Sequence, residues 1–414
     1  MKGPAREVAR REDAWPTRAV VDVALADDAW QPLPFAVFII KLHGRCNLAC
    51  DYCYMYEMAD QSWRDRPVAM TRRVVDKAAE SISDHLKAHA ELLPAAIIKL
   101  HGGEALLAGA EGVDYAATAF RSAVPEGCDA QIALTTNGIL LDDREMLEVI
   151  ERQGIHVSVS LDGGKDAHDR HRTYANGRGS HEAVMRGLES MRQSPAAGLL
   201  RLVLCTIDVE NDPLDVYESL VDVGAPLIDF ELPLGNWTER PPALPAGNRG
   251  TPYADWLIPI FDRWYHTVPV PVGIRIFENI MALVLGGHSE TEGFGLTPAQ
   301  IVTVDTDGSI QLADTLRSAF DGAPGTGLDV FTGSFEQALL HPGVVARQLG
   351  LRGLSPQCQR CSLVEICGGG EYVHRYRADS GFLNPSVYCR DLQKLITHIR
   401  DRVHLDLATA VDAR

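Results

Sequence analysis

Nine cysteines, at positions 46, 50, 53, 128, 205, 358, 361, 367 and 389, carry most of the chemistry visible in this chain. Cys46, Cys50 and Cys53 follow the spacing C-x3-C-x2-C. Three thiolates on one short loop bind three irons of a 4Fe-4S cluster and leave the fourth iron open to a chelating substrate or cofactor. An electron-transfer ferredoxin fills that position with a fourth Cys. The competing reading is a zinc site completed by His43. Cys358, Cys361, Cys367 and Cys389 supply four thiolates, enough to close a cluster or a structural zinc site. Cys128 and Cys205 stand apart. Cys205 lies in the apolar run Leu202-Val203-Leu204-Cys205, where a buried free thiol is common, and neither is assigned a role.

Composition narrows the setting. The chain has 414 residues, with 39 Lys plus Arg against 56 Asp plus Glu, a formal charge of −17. Such an acid excess argues against a nucleic-acid partner, which needs a basic face. The longest apolar runs, at residues 38–40 and 94–98, are far too short to span a bilayer. The basic first 18 residues lack the apolar core of a secretory signal. A cytoplasmic protein without a membrane partner is expected, and in a reducing compartment clustered cysteines bind metal or catalyse.

The elements that must position these residues alternate. The apolar run at 35–42 reads as a parallel strand buried on both faces. A helical period follows at 71–90, with Val74, Val75, Ala78, Ile82 and Leu86 on one face. Further strands are expected at 96–100, 132–135, 155–161, 199–207 and 228–232. Helices are expected at 112–124, at 180–192 behind Ser180 as cap, and from Asp212-Pro213. The segment Ile39-Ile40-Lys41-Leu42-His43-Gly44 recurs at residues 97–102, as successive units of one barrel would show. The stretch 233–252, rich in Pro and Gly, looks like a boundary. Helices at 254–266 and 277–285 follow, then a hairpin turning at Asp307-Gly308, a short helix at 335–341 and a last helix at 391–407. Four regions are expected: an N-terminal extension (1–34), a parallel α/β unit (35–240), a helical bridge (241–300) and a cysteine-rich unit (301–414).

The loop Cys46-Asn47-Leu48-Ala49-Cys50-Asp51-Tyr52-Cys53 resembles the signature of radical S-adenosylmethionine (SAM) enzymes, including Tyr52 before the third cysteine. The resemblance continues through His101-Gly102-Gly103-Glu104, Thr135-Thr136-Asn137-Gly138, Ser158-Val159-Ser160-Leu161-Asp162-Gly163 and Arg172. It implies a partial (β/α)6 barrel of the TIM type, with its site at the C-terminal strand ends. It also implies reductive cleavage of SAM to a 5′-deoxyadenosyl radical and a reducing donor of flavodoxin or ferredoxin type. As implied SAM contacts it marks Tyr52, Gly102, Gly103, Glu104, Asn137, Ser158, Ser160, Asp162 and Arg172. Gly102 and Gly103 are expected to let the backbone approach the ligand.

The second cysteine set resembles the SPASM domain of peptide-modifying radical SAM enzymes, which holds auxiliary 4Fe-4S clusters. The full SPASM pattern has thiols where this chain has Ala313 and Glu371, so one auxiliary cluster is expected, two clusters in all. The segments 56–63, 367–377 and 381–389 resemble FxsB-type maturases. That resemblance implies a cyclophane crosslink from an aromatic ring carbon to the Cβ of a nearby residue. The substrate would be a ribosomal precursor peptide with an aromatic residue near its C-terminus. Asp314, which aligns with a carboxylate base of sulfatase maturases, and Glu371 are the expected proton acceptors. His374, Arg375 and Arg377 are expected near the peptide channel. The alternatives are Ser or Cys oxidation of the sulfatase-maturase kind, thioether formation, and a non-catalytic zinc-binding interaction module.

Overall fold

The computed structural model describes residue 15 and residues 18–27 and 30–412. The remainder of the expected N-terminal extension lies outside the described residues. Within it, a helix at Arg18–Leu25 buries Val21 and Ala24 against Val345 and Leu349. Trp15 stacks on Phe382 at 4.9 Å.

Ten strands form one sheet: β1 (Val37–His43), β2 (Ala95–Gly102), β3 (Asp129–Thr136), β4 (His156–Ser160), β5 (Leu200–Thr206), β6 (Leu227–Glu231), β7 (Gly273–Ile274), β8 (Ile301–Val304), β9 (Ser309–Gln311) and β10 (Gly325–Asp329). Their spatial order is β10-β9-β8-β1-β2-β3-β4-β5-β6-β7. β1 to β6 are neighbours in chain order and parallel throughout, so the sheet curls as an open, partial barrel. The six expected strands are present. β7 has only two residues, too few for any pattern to announce it.

The hairpin at Asp307-Gly308 forms as expected, with Gly308 at φ +89°, but it does not stand apart from the barrel. β8 pairs in parallel with β1, so the cysteine-rich region and the barrel share one sheet. The repeated hexapeptide falls on β1 and β2 with Lys41 beside His101, an offset of two residues that keeps both copies on the same face.

Alternation along the strands decides what reaches the interior. Phe38, Ile40 and Leu42 join the core under the helices, as do Ile98, Leu100, Val157, Val159, Val203, Cys205, Ile228 and Phe230. Their neighbours therefore face the lumen: Lys41, Lys99, His101, Ser158, Ser160, Thr206, Asp229 and Glu231. Cys205 is a core residue beneath the helices and not part of the lumen. β1, expected to be apolar on both faces, carries Lys41 on its inner one.

Helix entries follow local chemistry. Asp212 accepts from the amides of Leu214 and Asp215 ahead of the Pro213–Val221 helix. Ser180, the expected cap of the His181–Arg192 helix, makes no capping bond with its side chain. Its hydroxyl instead donates to the Arg172 carbonyl at 2.6 Å and meets His168 Nε2 at 2.9 Å. Among the described residues, no helix is long and apolar enough to cross a membrane.

Candidate active site

The three-cysteine loop begins where β1 ends, at the C-terminal mouth of the sheet. Arg45 ties it down by donating to the carbonyls of Gly44 and Trp63 at 2.9 and 3.1 Å while lying over the Trp63 ring. Ala49 N donates to Thr173 O, joining the loop to the segment after β4. Cys46 Sγ accepts from the Leu48 amide at 3.4 Å and from Asn137 Nδ2 at 3.6 Å. Burial pushes the Cys46 thiol up to about 11 and Cys50 to about 12, and Cys53 is also raised. Thiols so disfavoured as anions become thiolates only when a cation compensates them.

Tetrahedral zinc, with Zn–S near ~2.3 Å, needs sulfurs about 3.8 Å apart. Among the described residues, neither cysteine set brings three ligand atoms within 4.8 Å of one another. The group that does meet that distance is His85, His89 and Glu336. There the Phe35 amide donates to His85 Nε2, so Nδ1 carries the proton and donates it to Glu336. That trio is a hydrogen-bonded clamp.

Gly102 and Gly103 serve the loop itself. A Cβ at Gly102 would lie 2.2 Å from His43 O, and one at Gly103 would lie 1.7 Å from Tyr56 Oη and 2.7 Å from the Arg45 carbonyl. The missing side chains thus let this strand end pack closely against His43, Arg45 and Tyr56. Glu104 is 2% exposed, and its carboxylate accepts from the Leu106 amide, the Thr136 hydroxyl and the Asn137 amide at 3.0, 2.8 and 2.7 Å. It braces the segment that presents Asn137 to Cys46.

Across the lumen, Asp162 accepts from Tyr52 Oη, from Arg172 Nε at 2.9 Å and from the Thr206 amide at 3.1 Å. Arg172 also lies over the Tyr52 ring, and its charge opposes the upward shift of Cys50. Thus Tyr52, Asp162 and Arg172 form one unit beside the second cysteine. Ser158 and Ser160 extend the same wall on β4.

Cys358, Cys361, Cys367 and Cys389 come from a helical turn, a loop, a second helical turn and the start of the Cys389–Asp412 helix. Cys367 is pushed up to about 12 by burial, with Cys389 and Cys358 adding to the shift, which places these sulfurs together. Gly368 permits the turn: its φ is +57°, and a Cβ there would lie 1.6 Å from Gly295 O.

The two expected proton acceptors differ. Asp314 ion-pairs with Lys41 at 2.7 Å and Arg317 at 3.5 Å, is 4% exposed and has its pKa held low by those cations against burial. Glu371 keeps a 30%-exposed side chain and is pushed up to about 8, chiefly by burial and then by Glu292 and Glu231. His374 is buried with neither ring nitrogen hydrogen-bonded, and Arg375 donates to the carbonyls of Gly368, Gly369 and Gly370. Arg375 therefore braces the glycine turn. Sequence reasoning passed over Lys99, Arg275 and Glu231. Glu231 ends β6, and the rule that barrel sites lie at C-terminal strand ends was the signal that pointed to it.

Known proteins match this arrangement. The model of the radical SAM superfamily matches residues 40–231. The serine-type anaerobic sulfatase-maturating enzyme of Klebsiella aerogenes is 25% identical over 381 residues, 88% of this chain and 86% of that protein. The solved structure of anSMEcpe with bound AdoMet superposes with a TM-score of 0.75 at 21% identity, over 90% of this chain and 99% of that one. SuiB of Streptococcus suis bound to its precursor peptide SuiA gives 0.55 at 13% identity, over 90% and 79%. Taken with the cysteine loop at the mouth of a parallel partial barrel, these likenesses identify residues 40–231 as a radical SAM domain.

Proposed function

We propose that the chain is a maturase that oxidises a side chain of a ribosomally made precursor peptide at Cβ. The observation carrying this reading is the Cys46–Cys50–Cys53 loop at the C-terminal mouth of a polar lumen, in a chain whose later strands β8 to β10 complete the same sheet and whose last part brings four further cysteines. Cys46, Cys50 and Cys53 would hold a SAM-binding 4Fe-4S cluster, and Cys358, Cys361, Cys367 and Cys389 one auxiliary cluster. The chemistry supplied by a loaded site is removal of a hydrogen atom by a 5′-deoxyadenosyl radical. Arg172, locked by Asp162 and Tyr52, would orient the SAM carboxylate, and the Ser158 and Ser160 hydroxyls would meet its ribose. Asp314 is committed to Lys41 and Arg317, so it serves the architecture first.

Two fates of the Cβ carbon are distinguishable. Kinship with sulfatase-maturating enzymes supports oxidation of Ser or Cys to an aldehyde. The crosslinking reading is favoured by a separate observation: position 313 is a buried methyl and position 371 a carboxylate, so the further SPASM thiols are absent. The segment 56–63, part of that subtype resemblance, also has a structural role. Asp60 pairs with Arg317, Gly322 donates to Asp60, and Gln61 folds back onto the carbonyls of Tyr56 and Met58.

Co-expression with short peptides from adjacent reading frames, followed by fragmentation mass spectrometry, tests the reading. Oxidised Ser and a crosslink both lose two hydrogens, but only a crosslink suppresses cleavage between the joined residues. Anaerobic purification should give a brown protein with about eight irons per chain. Replacing Cys46, Cys50 and Cys53 with Ala should abolish deoxyadenosine formation, and a colourless zinc protein would defeat the proposal.

A further inference from the structure

Three carboxylates are candidates for the proton acceptor, and among the described residues one of them has no side-chain partner. Asp314 is held by Lys41 and Arg317. Glu371 faces His374 at 3.9 Å and lies near Glu292. Glu231 is the last residue of β6, pairs through its backbone with Thr206 on β5 and turns to the lumen side with Asp229. It is exposed to solvent there. Among the described residues, no side chain hydrogen-bonds or ion-pairs with its carboxylate. Asp229, two residues earlier on the same face, is taken by Arg275.

We infer that Glu231 accepts the proton released when the peptide's Cβ is oxidised, with Lys99 and Arg275 setting its charge balance. This rests on the peptide-maturase reading above. The position suits a proton acceptor. Glu231 closes β6 at the C-terminal mouth of the sheet, where the three-cysteine loop also begins, and it feels Arg172 and in turn raises Glu371. The groups facing it are Asp229, Arg275, Lys99 and Arg172. The Glu231 pKa is raised, first by desolvation from the surrounding walls and then by Asp229, against Arg275, Lys99 and Arg172, and its solvent-facing edge moderates that rise, so it remains a carboxylate able to accept a proton near neutral pH. Lys99, from β2 across the lumen, is correspondingly held below the usual ammonium range, first by burial and then by Arg275.

The balance is the same for either fate of the substrate. The Cβ–H bond would break by transfer of its hydrogen atom to the 5′-deoxyadenosyl radical, and the one electron left over would go to the auxiliary cluster that Cys358, Cys361, Cys367 and Cys389 would hold. For Ser, the hydroxyl O–H bond breaks, its proton goes to the Glu231 carboxylate and C=O forms. For a crosslink, the new C–C bond forms first, and the ring C–H proton goes to Glu231 as aromaticity returns.

The test uses anaerobically reconstituted full-length enzyme and the peptide found by co-expression. In E231Q, the ratio of deoxyadenosine to modified peptide should rise by about 100-fold, the span a positioned base contributes. Affinity for the labelled peptide should stay within about twofold. Infrared difference titration of the holoenzyme from pH 6 to 8 should show a carboxyl C=O band in the wild type that E231Q lacks. A wild-type ratio in E231Q, or an unchanged band, overturns the inference while leaving the maturase reading intact. A wild-type enzyme that forms neither deoxyadenosine nor modified peptide removes both.

Discussion

Asp314 and Glu231 are carboxylates separated by the width of one lumen, and their surroundings put them in opposite states. Asp314 belongs to a dry ion-pair hub beneath the cysteine loop. There Lys41 contacts Asp314 at 2.7 Å and Asp305 at 3.5 Å, Arg66 reaches Asp305 at 3.4 Å, and Arg317 binds Asp60, Asp305, Asp314 and Gln311. Lys41 and Arg317 have no exposed side-chain surface. Cations match the carboxylates in this hub, so Asp305 stays an anion with its pKa lowered to about 2, against the opposing effect of burial. In the lumen, Asp229, Glu231 and Glu371 meet fewer committed cations, and two of the three are pushed toward neutrality. One residue type therefore holds structure on one side and is free to move protons on the other.

The largest expected effect comes from emptying the hub. Arg317→Met strands Asp60, Asp305 and Asp314 without their shared cation, and should cost about 3–5 kcal/mol in denaturant unfolding. A loss below about 1 kcal/mol would show that the hub is not dry. Next is the direct contrast of the carboxylates. Asp314→Asn leaves Lys41 with only the longer contact to Asp305 and should lower stability by about 1–3 kcal/mol, whereas Glu231→Gln should leave stability unchanged or raise it. The comparison fails if the two variants melt alike.

The smallest effect is on pH dependence. The Asp305 pKa is depressed on folding, so its contribution is present above about 3.9 and is lost as pH falls through about 2. The Glu231 pKa is raised on folding, so its contribution is fully present below about 4.3 and is lost as pH rises through about 7. Melting temperatures from pH 5 to 8 should therefore fall more steeply for the wild type than for Glu231→Gln. Parallel curves would mean that Glu231 titrates as an ordinary carboxylate.

Much of the frame was legible beforehand because it rests on local rules. Cysteine spacing, the six parallel strands, the Asp212-Pro213 helix start and the Asp307-Gly308 turn are each written within a few residues. The misreadings arose where a distant segment competed for a side chain. Ser180 has the chemistry of a cap, but the Arg172 carbonyl and His168 claim its hydroxyl. β1 reads as apolar on both faces, but it carries Lys41 inward, where Asp305 and Asp314 pair with it.

By itself the sequence determined where the candidate metal ligands cluster and in which order the first six strands run, because ligand spacing and hydrophobic period are properties of neighbouring residues. Tertiary structure alone decided which carboxylate is locked and which is free. Asp314 follows a strand end and Glu231 closes one, and nothing in their flanks separates them. Lys41 and Arg317 converge on the first, while Arg275 is drawn off by Asp229 and leaves the second exposed. Whether a charge is paired depends on groups brought together from far along the chain, and burial then multiplies the difference.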